Sequence, residues 1–327
     1  MIIVKTPYRV SLFGGGSDFP IWYGKNGGEV LAFAINRYSY LTARELPPFF
    51  NHNYRLAYSR TEEVSLIDSI SHPAFREGIR KFGDGKSLEI HHHGDLPARS
   101  GVGSSSAFAV GLVAALKSLN NKEFDVQTIV NDAINLEQVV LRENVGSQDQ
   151  ITCANGGINS IKFNQNNSWE VSRIELSAEY QNELTNRCVI FYSGVARNSS
   201  DISKGLIDNF NKNDKHLYRL VSLAQEGKRI LDKEGDLDQF GEMLNESLRI
   251  KTQMNPLSTN PELSDLFISA AKAGSLGGKI LGAGGGGFCM FWVKKDGREE
   301  FISKFKQGVV IPIKVDKNGV KIIFKDS

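Results

Sequence analysis

A glycine- and serine-rich segment at residues 95–107 constrains the fold of this chain more than any other part of its sequence. It follows a strand-like run at 88–92 and opens an Ala-, Leu- and Val-rich run at 104–119 that is predicted to be a buried helix. Glycines at 101 and 103 let backbone amides approach a ligand, and a helix start concentrates unpaired N–H groups and positive dipole. The pattern predicts a phosphate-binding turn, although a plain Gly/Ser turn that caps the helix would look the same in isolation.

This segment differs from the phosphate loop of the commoner nucleotide hydrolases. No Gly-Lys-Ser or Gly-Lys-Thr follows its glycines. Its consecutive serines can instead cap the helix, bind a phosphate oxygen or reach a Mg²⁺ ion. A phosphate site of a different family is therefore expected.

Composition is typical of a folded protein without nucleic-acid partners. The 327 residues suffice for two domains or one large one, and hydrophobic residues make up 40% of them, so neither disorder nor a fibrous repeat is indicated. The 39 Lys and Arg residues nearly balance the 37 Asp and Glu residues, and no basic stripe is interleaved with aromatic residues. We therefore expect no binding to nucleic acid.

Cysteine usage and hydropathy indicate a cytoplasmic protein. Cys153, Cys188 and Cys289 are odd in number, widely spaced and set in apolar surroundings, which favours a reducing compartment. The first residues enter a strand-like run without the basic and apolar regions of a signal peptide. No apolar run approaches the ~18 residues that span a membrane. We expect no membrane partner.

Hydrophobic periodicity predicts an α+β fold. Strands are predicted at 2–5, 9–13, 29–34, 38–44, 54–57, 88–92, 156–163, 169–174, 188–192, 288–293, 309–315 and 320–324. Helices are predicted at 104–119, 126–141, 214–234, 237–254 and 261–273. The polar stretch at 177–186 is the predicted boundary between domains of residues 1–180 and 181–327.

Three consecutive histidines, at 91–93, lie within one of the predicted strands. Adjacent strand side chains point to opposite faces of a sheet, so these three are poorly arranged to share a metal ion. A structural role is therefore predicted for them.

Three segments together resemble the GHMP kinases, the superfamily of galactokinase, homoserine kinase, mevalonate kinase and phosphomevalonate kinase. Residues 97–107 are similar to the second motif of this family, Pro-x-x-x-Gly-Leu-Gly-Ser-Ser-(Ser/Ala)-Ala, with Val102 in place of Leu. Residues 6–18 are similar to the first motif as galactokinases carry it, and residues 281–288 resemble the third, a glycine loop packed beside the second. The motifs occur in family order and span almost the whole chain.

This resemblance implies a two-domain GHMP kinase fold with the active site in the cleft between the domains. The N-terminal domain would be of the ribosomal protein S5 domain 2-like type, and the C-terminal domain ferredoxin-like. ATP and Mg²⁺ are the implied cofactors. The ATP-binding residues implied by the second motif are Pro97, Gly101, Val102, Gly103, Ser104, Ser105 and Ser106.

The resemblance also assigns catalytic roles to two residues. Asp149 matches the proposed catalytic base, which would accept the proton of the substrate hydroxyl or hold that hydroxyl in line with the γ-phosphate. Arg9 matches the basic residue near the transferring phosphate, where its charge would offset charge on the phosphoryl oxygens. Without the resemblance, Asp149 would be interpreted as a turn former in a loop.

Glu137 falls on the apolar stripe of the predicted helix at 126–141, where a carboxylate is costly unless it is paired or bound to a cation. The family suggests that Glu137 and Ser105 hold Mg²⁺ between the β- and γ-phosphates, with waters completing an octahedral shell. Pairing with a buried Arg or Lys is the alternative.

Residues of the first and third motifs suggest a sugar as substrate. Asp18 matches the sugar-contacting aspartate of galactokinases, but Gly15 and Gly16 replace the Glu-His of those enzymes and remove two side chains from the pocket. The candidate substrate-binding residues are Gly15, Gly16, Ser17, Asp18, Arg197, Lys279, Gly284 and Gly285. Arg197 and Lys279 would contact a distal phosphate of the substrate, but surface salt bridges explain such residues equally well.

Residues 14–18, 192–200 and 277–283 look like those of bacterial D-glycero-D-manno-heptose 7-phosphate kinases. That resemblance implies a small sugar phosphate as partner, phosphorylated at its anomeric hydroxyl, and a homodimer is possible. One rival is a kinase of L-fucose or another free sugar. The other is a catalytically silent sugar and nucleotide sensor on the same fold, against which the presence of Arg9 and Asp149 argues.

Overall fold

A computed structural model of the protein describes residues 1–98, 100–122, 125–194, 205, 214–306 and 308–326. Its strands are β1 Ile2–Phe13, β2 Gly28–Glu45, β3 Tyr54–Ala57, β4 Thr61–Val64, β5 Leu88–Gly94, β6 Ile158–Phe163, β7 Trp169–Arg173, β8 Cys188–Tyr192, β9 Ser275–Ile280, β10 Phe288–Val293, β11 Val309–Ile311 and β12 Lys321–Lys325. They form two sheets. One has eight strands in the order β12-β1-β2-β5-β3-β4, with β6 and β7 branching from β2, and the other has the order β11-β8-β10-β9.

The helices pack against these sheets and between them. They are α1 Pro20–Asn26, α2 Pro73–Phe82, α3 Ser104–Leu119, α4 Val126–Ile134, α5 Gln148–Asn155, α6 Ala178–Arg187, α7 Asp214–Asp232, α8 Gln239–Met254, α9 Pro261–Ala273 and α10 Arg298–Lys304. Helix α3 is buried along most of its length against β1 and β2, as its apolar composition predicts. The α+β class is confirmed.

Two predicted pairs of short strands are single long strands in the structure. β1 joins the predicted runs at 2–5 and 9–13, and β2 joins those at 29–34 and 38–44. The pairing of β1 with β2 shifts register between Pro7 and Tyr8 and again between Ser11 and Phe13. Such irregularities let a strand bend and accommodate a proline without ending. The residues between the paired runs, 6–8 and 35–37, therefore lie within strands and do not end them.

The predicted helix at 126–141 changes its geometry halfway. After α4 the chain continues as a π-helical segment, Asn135–Val140, in which the amide of Leu141 donates to the carbonyl of Leu136. The wider turn admits one extra residue and rotates the side chains that follow. Glu137 is buried, as its place on the apolar stripe predicts, whereas Val140, predicted on the same stripe, is exposed.

One hydrophobic core joins the two sheets. Alternate residues of β8 face opposite sides, so that Cys188 and Ile190 enter the core beneath the large sheet while Val189 and Phe191 enter a second core under α9 and α10. The last strand, β12, returns from the C-terminal half to pair with β1. The division at residue 180 stays a prediction, and helix α6 occupies the predicted boundary at 177–186.

None of the helices in the described parts of the chain is long and apolar enough to cross a lipid bilayer.

Candidate active site

The glycine turn before α3 adopts backbone angles that other residues avoid. Gly101 and Gly103 have φ of +88° and +74°, and Gly103 is the N-cap residue of α3. Since Gly103 has no side chain, no N-cap side chain covers the amide groups of the first helical turn, which carries Ser104, Ser105 and Ser106. The turn therefore presents the positive end of a helix dipole, the property on which its predicted phosphate site depends.

Residues of the segment at 97–107 differ in burial. Val102 is fully buried, and its carbonyl accepts a hydrogen bond of 3.0 Å from the amide of Arg9. Pro97 is exposed upstream of the turn, where its carbonyl accepts from the Ser100 hydroxyl at 2.6 Å. The Arg9–Val102 bond holds the turn against β1, and the Ser100–Pro97 bond closes the chain just before the turn.

Arg9 and Asp149 form a bidentate ion pair beside this turn. Arg9 Nε donates to Asp149 Oδ1 at 2.7 Å, and Nη2 donates to Oδ2 at 2.5 Å. Arg9 Nη1 donates to the carbonyl of Gly101 at 2.6 Å. Burial lowers the pKa of Arg9, but the charge and hydrogen bonds of Asp149 outweigh it and raise that pKa, so the guanidinium stays charged.

Gly103 lies against both partners of this pair. A Cβ atom at Gly103 would lie 3.0 Å from Arg9 Cγ and 3.5 Å from Asp149 Oδ2. The absent side chain thus lets the start of α3 approach the ion pair closely. Asp149 lies in the first turn of α5, not in the predicted loop, so its carboxylate also faces the positive end of a helix.

Glu137 approaches the same turn from the π-helical segment. Its carboxylate is 1% exposed and accepts hydrogen bonds of 2.6 Å from Ser105 Oγ and from Gln150 Nε2. Burial raises the pKa of Glu137 to about 7, although the bonds from Ser105, Ser106 and Gln150 act to lower it. Among the residues that the structure describes, no Arg or Lys forms an ion pair with it, so the alternative predicted for Glu137 is not what stabilises this carboxylate.

The first motif builds a tight loop around Asp18. The carboxylate of Asp18 is buried and accepts from the amides of Gly16 at 2.8 Å and Gln148 at 3.4 Å. Burial raises the pKa of Asp18. The Ser17 hydroxyl donates to the carbonyls of Gly14 and Glu29, so this predicted substrate residue binds its own loop and the start of β2.

The third glycine loop packs on the second motif backbone to backbone. A Cβ atom at Gly101 would lie 2.4 Å from the carbonyl oxygen of Leu281, and one at Gly282 would lie 2.7 Å from Gly101 Cα. Gly284 and Gly285 contact Ser258 instead, and the Gly285 amide donates to the Ser258 carbonyl at 2.7 Å. The three predicted motifs are thus brought together.

The two basic residues predicted for a distal phosphate do not join this group as expected. Arg197 lies outside the described residues. Lys279, on β9, is 2% exposed, and its Nζ donates to the carbonyls of Ser11 and Leu12 at 3.0 Å each. These bonds tie the small sheet to β1, and such deep burial argues against the predicted direct contact between Lys279 and a substrate.

Sequence reasoning missed a different lysine. Lys251, on α8, is partly exposed, and a Cβ atom at Gly15 would lie 3.4 Å from its Nζ. A signal was present, because Lys251 falls on the stripe of Leu244, Ser247 and Met254, all of them buried. A lysine at helical spacing among buried residues is the same anomaly that pointed to Glu137.

Comparison with known proteins identifies the family. The family models "GHMP kinases N terminal domain" and "GHMP kinases C terminal" match residues 69–157 and 228–310, which together exceed half of the chain. The chain is 25% identical to a D-glycero-alpha-D-manno-heptose 7-phosphate kinase of Campylobacter jejuni over 98% of both proteins. It is 27% identical to a bifunctional fucokinase/GDP-fucose pyrophosphorylase of Arabidopsis thaliana over 89% of this chain and 30% of that protein.

The fold has a close counterpart among solved structures. A D-glycero-D-manno-heptose 1-phosphate kinase from Bacteroides thetaiotaomicron matches with a TM-score of 0.81 at 24% identity, over 100% of both chains. Fold, glycine motifs and relatives define a phosphotransferase of the sugar kinase class. The chain belongs to the GHMP kinases.

Proposed function

We propose that this kinase transfers the γ-phosphoryl group of ATP to the anomeric hydroxyl of D-glycero-D-manno-heptose 7-phosphate. The product would be the 1,7-bisphosphate, a precursor of nucleotide-activated heptose for surface polysaccharide. One observation carries the proposal: the Arg9–Asp149 ion pair lies against Gly103 at the start of α3. An acid–base group and a fixed cation beside a phosphate-binding helix start are what phosphoryl transfer to a hydroxyl requires.

In this proposal each group acts on a different part of the reaction. Asp149 accepts the proton of the sugar hydroxyl or holds that hydroxyl in line with the γ-phosphate. Arg9 offsets the charge that develops on the phosphoryl oxygens, and its bond to the Gly101 carbonyl keeps it at the turn. The first-turn amides of α3 bind the phosphates of ATP.

Ser105 and Glu137 fit a Mg²⁺ ion that accompanies ATP. They offer a hydroxyl and a carboxylate, the oxygen ligands that Mg²⁺ prefers, and no Arg or Lys of the described residues forms an ion pair with the buried Glu137 carboxylate. A bound Mg²⁺ would neutralise charge on the β- and γ-phosphates. The described residues contain no group of three His, Cys, Asp or Glu that could hold a metal, so phosphates and water would supply the remaining ligands.

The choice of a heptose phosphate rests on relatives and on the first motif. The Campylobacter jejuni relative carries this activity in its name, and it aligns over nearly the whole chain. Gly15 and Gly16 carry no side chains beside Asp18, whose carboxylate can accept hydrogen bonds from ring hydroxyls.

A panel of sugars and sugar phosphates in an ADP-release assay with Mg·ATP tests the proposal. We expect D-glycero-D-manno-heptose 7-phosphate to give the highest kcat/KM and a product phosphorylated at carbon 1. Background ADP release with this substrate, alongside turnover of another sugar, would overturn the heptose assignment but not the kinase activity.

A kinase of free L-fucose is the second candidate. The similarity to the Arabidopsis thaliana fucokinase favours it. A free sugar presents hydroxyls only, so the same panel separates the two candidates by the ratio of rates with phosphorylated and unphosphorylated sugars.

A further inference from the structure

Two consecutive side chains of the π-helical segment, Glu137 and Gln138, bind the start of helix α5. Glu137 Oε2 accepts a hydrogen bond of 2.6 Å from Gln150 Nε2, and Gln138 Nε2 donates to Ser147 Oγ at 3.0 Å. Ser147 is the N-cap residue of α5, and Gln150 lies in its first turn, directly after Asp149. The segment that carries Glu137 is thereby fastened to the helix that carries Asp149.

Helix α3 completes this arrangement on the other side of Glu137. Ser105 Oγ donates to Glu137 Oε1 at 2.6 Å, and a Cβ atom at Gly103 would lie 3.5 Å from Asp149 Oδ2. The start of α3, the π-helical segment and the start of α5 therefore contact one another in pairs. Because Ser105 binds Oε1 and Gln150 binds Oε2, the two hydrogen bonds together fix the plane of the Glu137 carboxylate. Short π-helical segments occur frequently at functional sites.

Gln150 is a hydrogen-bond donor that adds no charge. Its side chain is 0% exposed, so water does not reach its terminal amide. Only the Nε2 end of an amide can donate to a carboxylate, so the Glu137 oxygen determines which way the amide faces. A lysine or arginine at position 150 could also hold Glu137, but its charge would cancel that of the carboxylate. The amide holds Glu137 and leaves its charge for a cation.

The other end of the same amide is unsatisfied. Gln150 Oε1 is buried and has no hydrogen-bond partner among the described residues. An unpaired buried oxygen works against the stability of the fold, so stability alone does not explain a glutamine at this position. The bond from Nε2 to Glu137 supplies a reason for this residue type.

We propose that Gln150 is a positioning residue that holds Glu137 in the orientation in which it binds Mg²⁺. This inference rests on the proposed function, in which Glu137 and Ser105 hold Mg²⁺ at the β- and γ-phosphates. Mg²⁺ demands nearly ideal octahedral geometry, so a carboxylate that is free to turn binds it less well. Residues that orient metal ligands typically contribute a factor of about 10 to 100 to metal affinity. Through Gln150, Glu137 also keeps a fixed position relative to the helix of Asp149.

The test measures how strongly Mg²⁺ and nucleotide assist each other's binding, without turnover. Calorimetric titrations give the Kd of a non-hydrolysable ATP analogue in EDTA and in Mg²⁺, and the ratio of the two values is the coupling between metal and nucleotide. Gln150→Met keeps the approximate size of the side chain and removes the donor. We expect it to lower the coupling ratio by about tenfold or more and to leave the Kd in EDTA unchanged. Gln150→Asn, whose amide is one methylene short of Glu137, should lower the ratio as well, and thermal unfolding without ligands verifies that both variants are folded.

Gln138→Met is the matched control. Gln138 ties the same segment to the same helix, but it bonds to Ser147 and to the carbonyl of Val145. Its substitution should leave the coupling ratio unchanged. If Gln138→Met lowers the ratio as much as Gln150→Met does, a loosened contact between the segment and α5 explains the loss, and the specific role of Gln150 is wrong.

The remaining outcomes separate this inference from the proposed function. If Gln150→Met retains the wild-type ratio, or weakens analogue binding equally in EDTA and in Mg²⁺, Gln150 has a structural role only and the inference fails. If Mg²⁺ does not strengthen analogue binding in wild type, the proposed metal site fails, and the role of Gln150 fails with it. Because no sugar is present, none of these results bears on the heptose assignment.

Discussion

At the level of single residues, Arg9 and Asp149 depend on one another. Arg9 is 4% exposed, and both carboxylate oxygens of Asp149 satisfy its donors. Removing one partner of a buried ion pair leaves an uncompensated charge, which costs more than the pair itself contributes. The geometry of the proposed transfer site and the local stability are therefore coupled.

Asp149→Asn should lower kcat by ~10² or more while ATP affinity changes little, because it removes the proposed base and leaves the helix start in place. Steady-state ADP release and calorimetric titration with ATP measure the two quantities. Asp265→Asn, on the exposed face of α9, is the control. Thermal unfolding separates lost chemistry from lost folding, and an unimpaired kcat would exclude Asp149 from catalysis.

His92 shows that the histidine run includes a structural residue. Its Nε2 lies 3.0 Å from Ser39 Oγ, and its ring packs edge-on against Phe108. Burial, with smaller effects from His93 and His72, lowers the pKa of His92 to about 4. The neutral ring therefore stabilises the fold above pH 6.5, and this contribution is lost as the pH falls towards 4.

His92→Gln should make the free energy of unfolding depend less on pH between pH 6.5 and 4. In wild type the free energy of unfolding should fall by up to roughly 3 kcal/mol between pH 6.5 and 4 through this residue, since one pKa unit corresponds to about 1.4 kcal/mol. Urea titrations at several pH values measure the slope, with His216→Gln as the control. Identical slopes for wild type and His92→Gln would contradict the prediction.

At the level of elements, the proposed nucleotide site is an assembly of glycine turns around α3. Gly282 has φ of +70° and lies very close to Gly101. A methyl group at position 282 would therefore displace the backbone of one of the two glycine turns. The third motif therefore determines the shape of the second, although 180 residues separate them.

Gly282→Ala should weaken ATP binding at least tenfold and destabilise the protein by about 2 kcal/mol, from left-handed backbone strain together with displacement of the loop. Gly85→Ala is a matched control, because Gly85 has a similar φ of +72° but no atom within 4 Å of its Cβ position. Titration with ATP and chemical denaturation compare the two. Equal effects of both substitutions would show that strain alone, and not the contact with Gly101, matters.

At the level of the whole molecule, the two sheets are joined by a shared core and by the ends of the chain. Lys279 links β9 to β1, and β12 pairs with β1 after the chain has left the small sheet. Near β12, the Val320 amide donates to the carbonyl of Ala154 in α5, the helix that carries Asp149. The C-terminal segment thus supports α5.

Because of these connections, we expect wild type to unfold in one cooperative transition. Scanning calorimetry should give calorimetric and van't Hoff enthalpies that agree. Deletion of residues 318–327 should lower the midpoint temperature of unfolding and reduce kcat. It removes β12 and the hydrogen bond from Val320 that supports α5. Two separate transitions in the full chain would show instead that the halves fold independently.

Much of the site was predictable because its parts are local. The turn at Gly101 and Gly103 depends on backbone freedom within a few residues, and Glu137 was conspicuous as a carboxylate at helical spacing among apolar neighbours. Lys251 was equally conspicuous in principle and was missed. The two long strands were divided in the prediction because turn residues in them are accommodated by register shifts, which depend on the partner strand.

The sequence by itself determined the α+β class, the order of the glycine motifs and the helix that begins at Ser104, since these depend on short-range periodicity and backbone chemistry. Only the tertiary structure decided that Arg9 pairs with Asp149, that the helix after α4 continues as a π-helical segment, and that Lys279 is buried against β1 while Lys251 is partly exposed beside Gly15. These arrangements depend on how distant strands and helices pack, and a difference of one residue in register or one turn in a helix directs a side chain to another face.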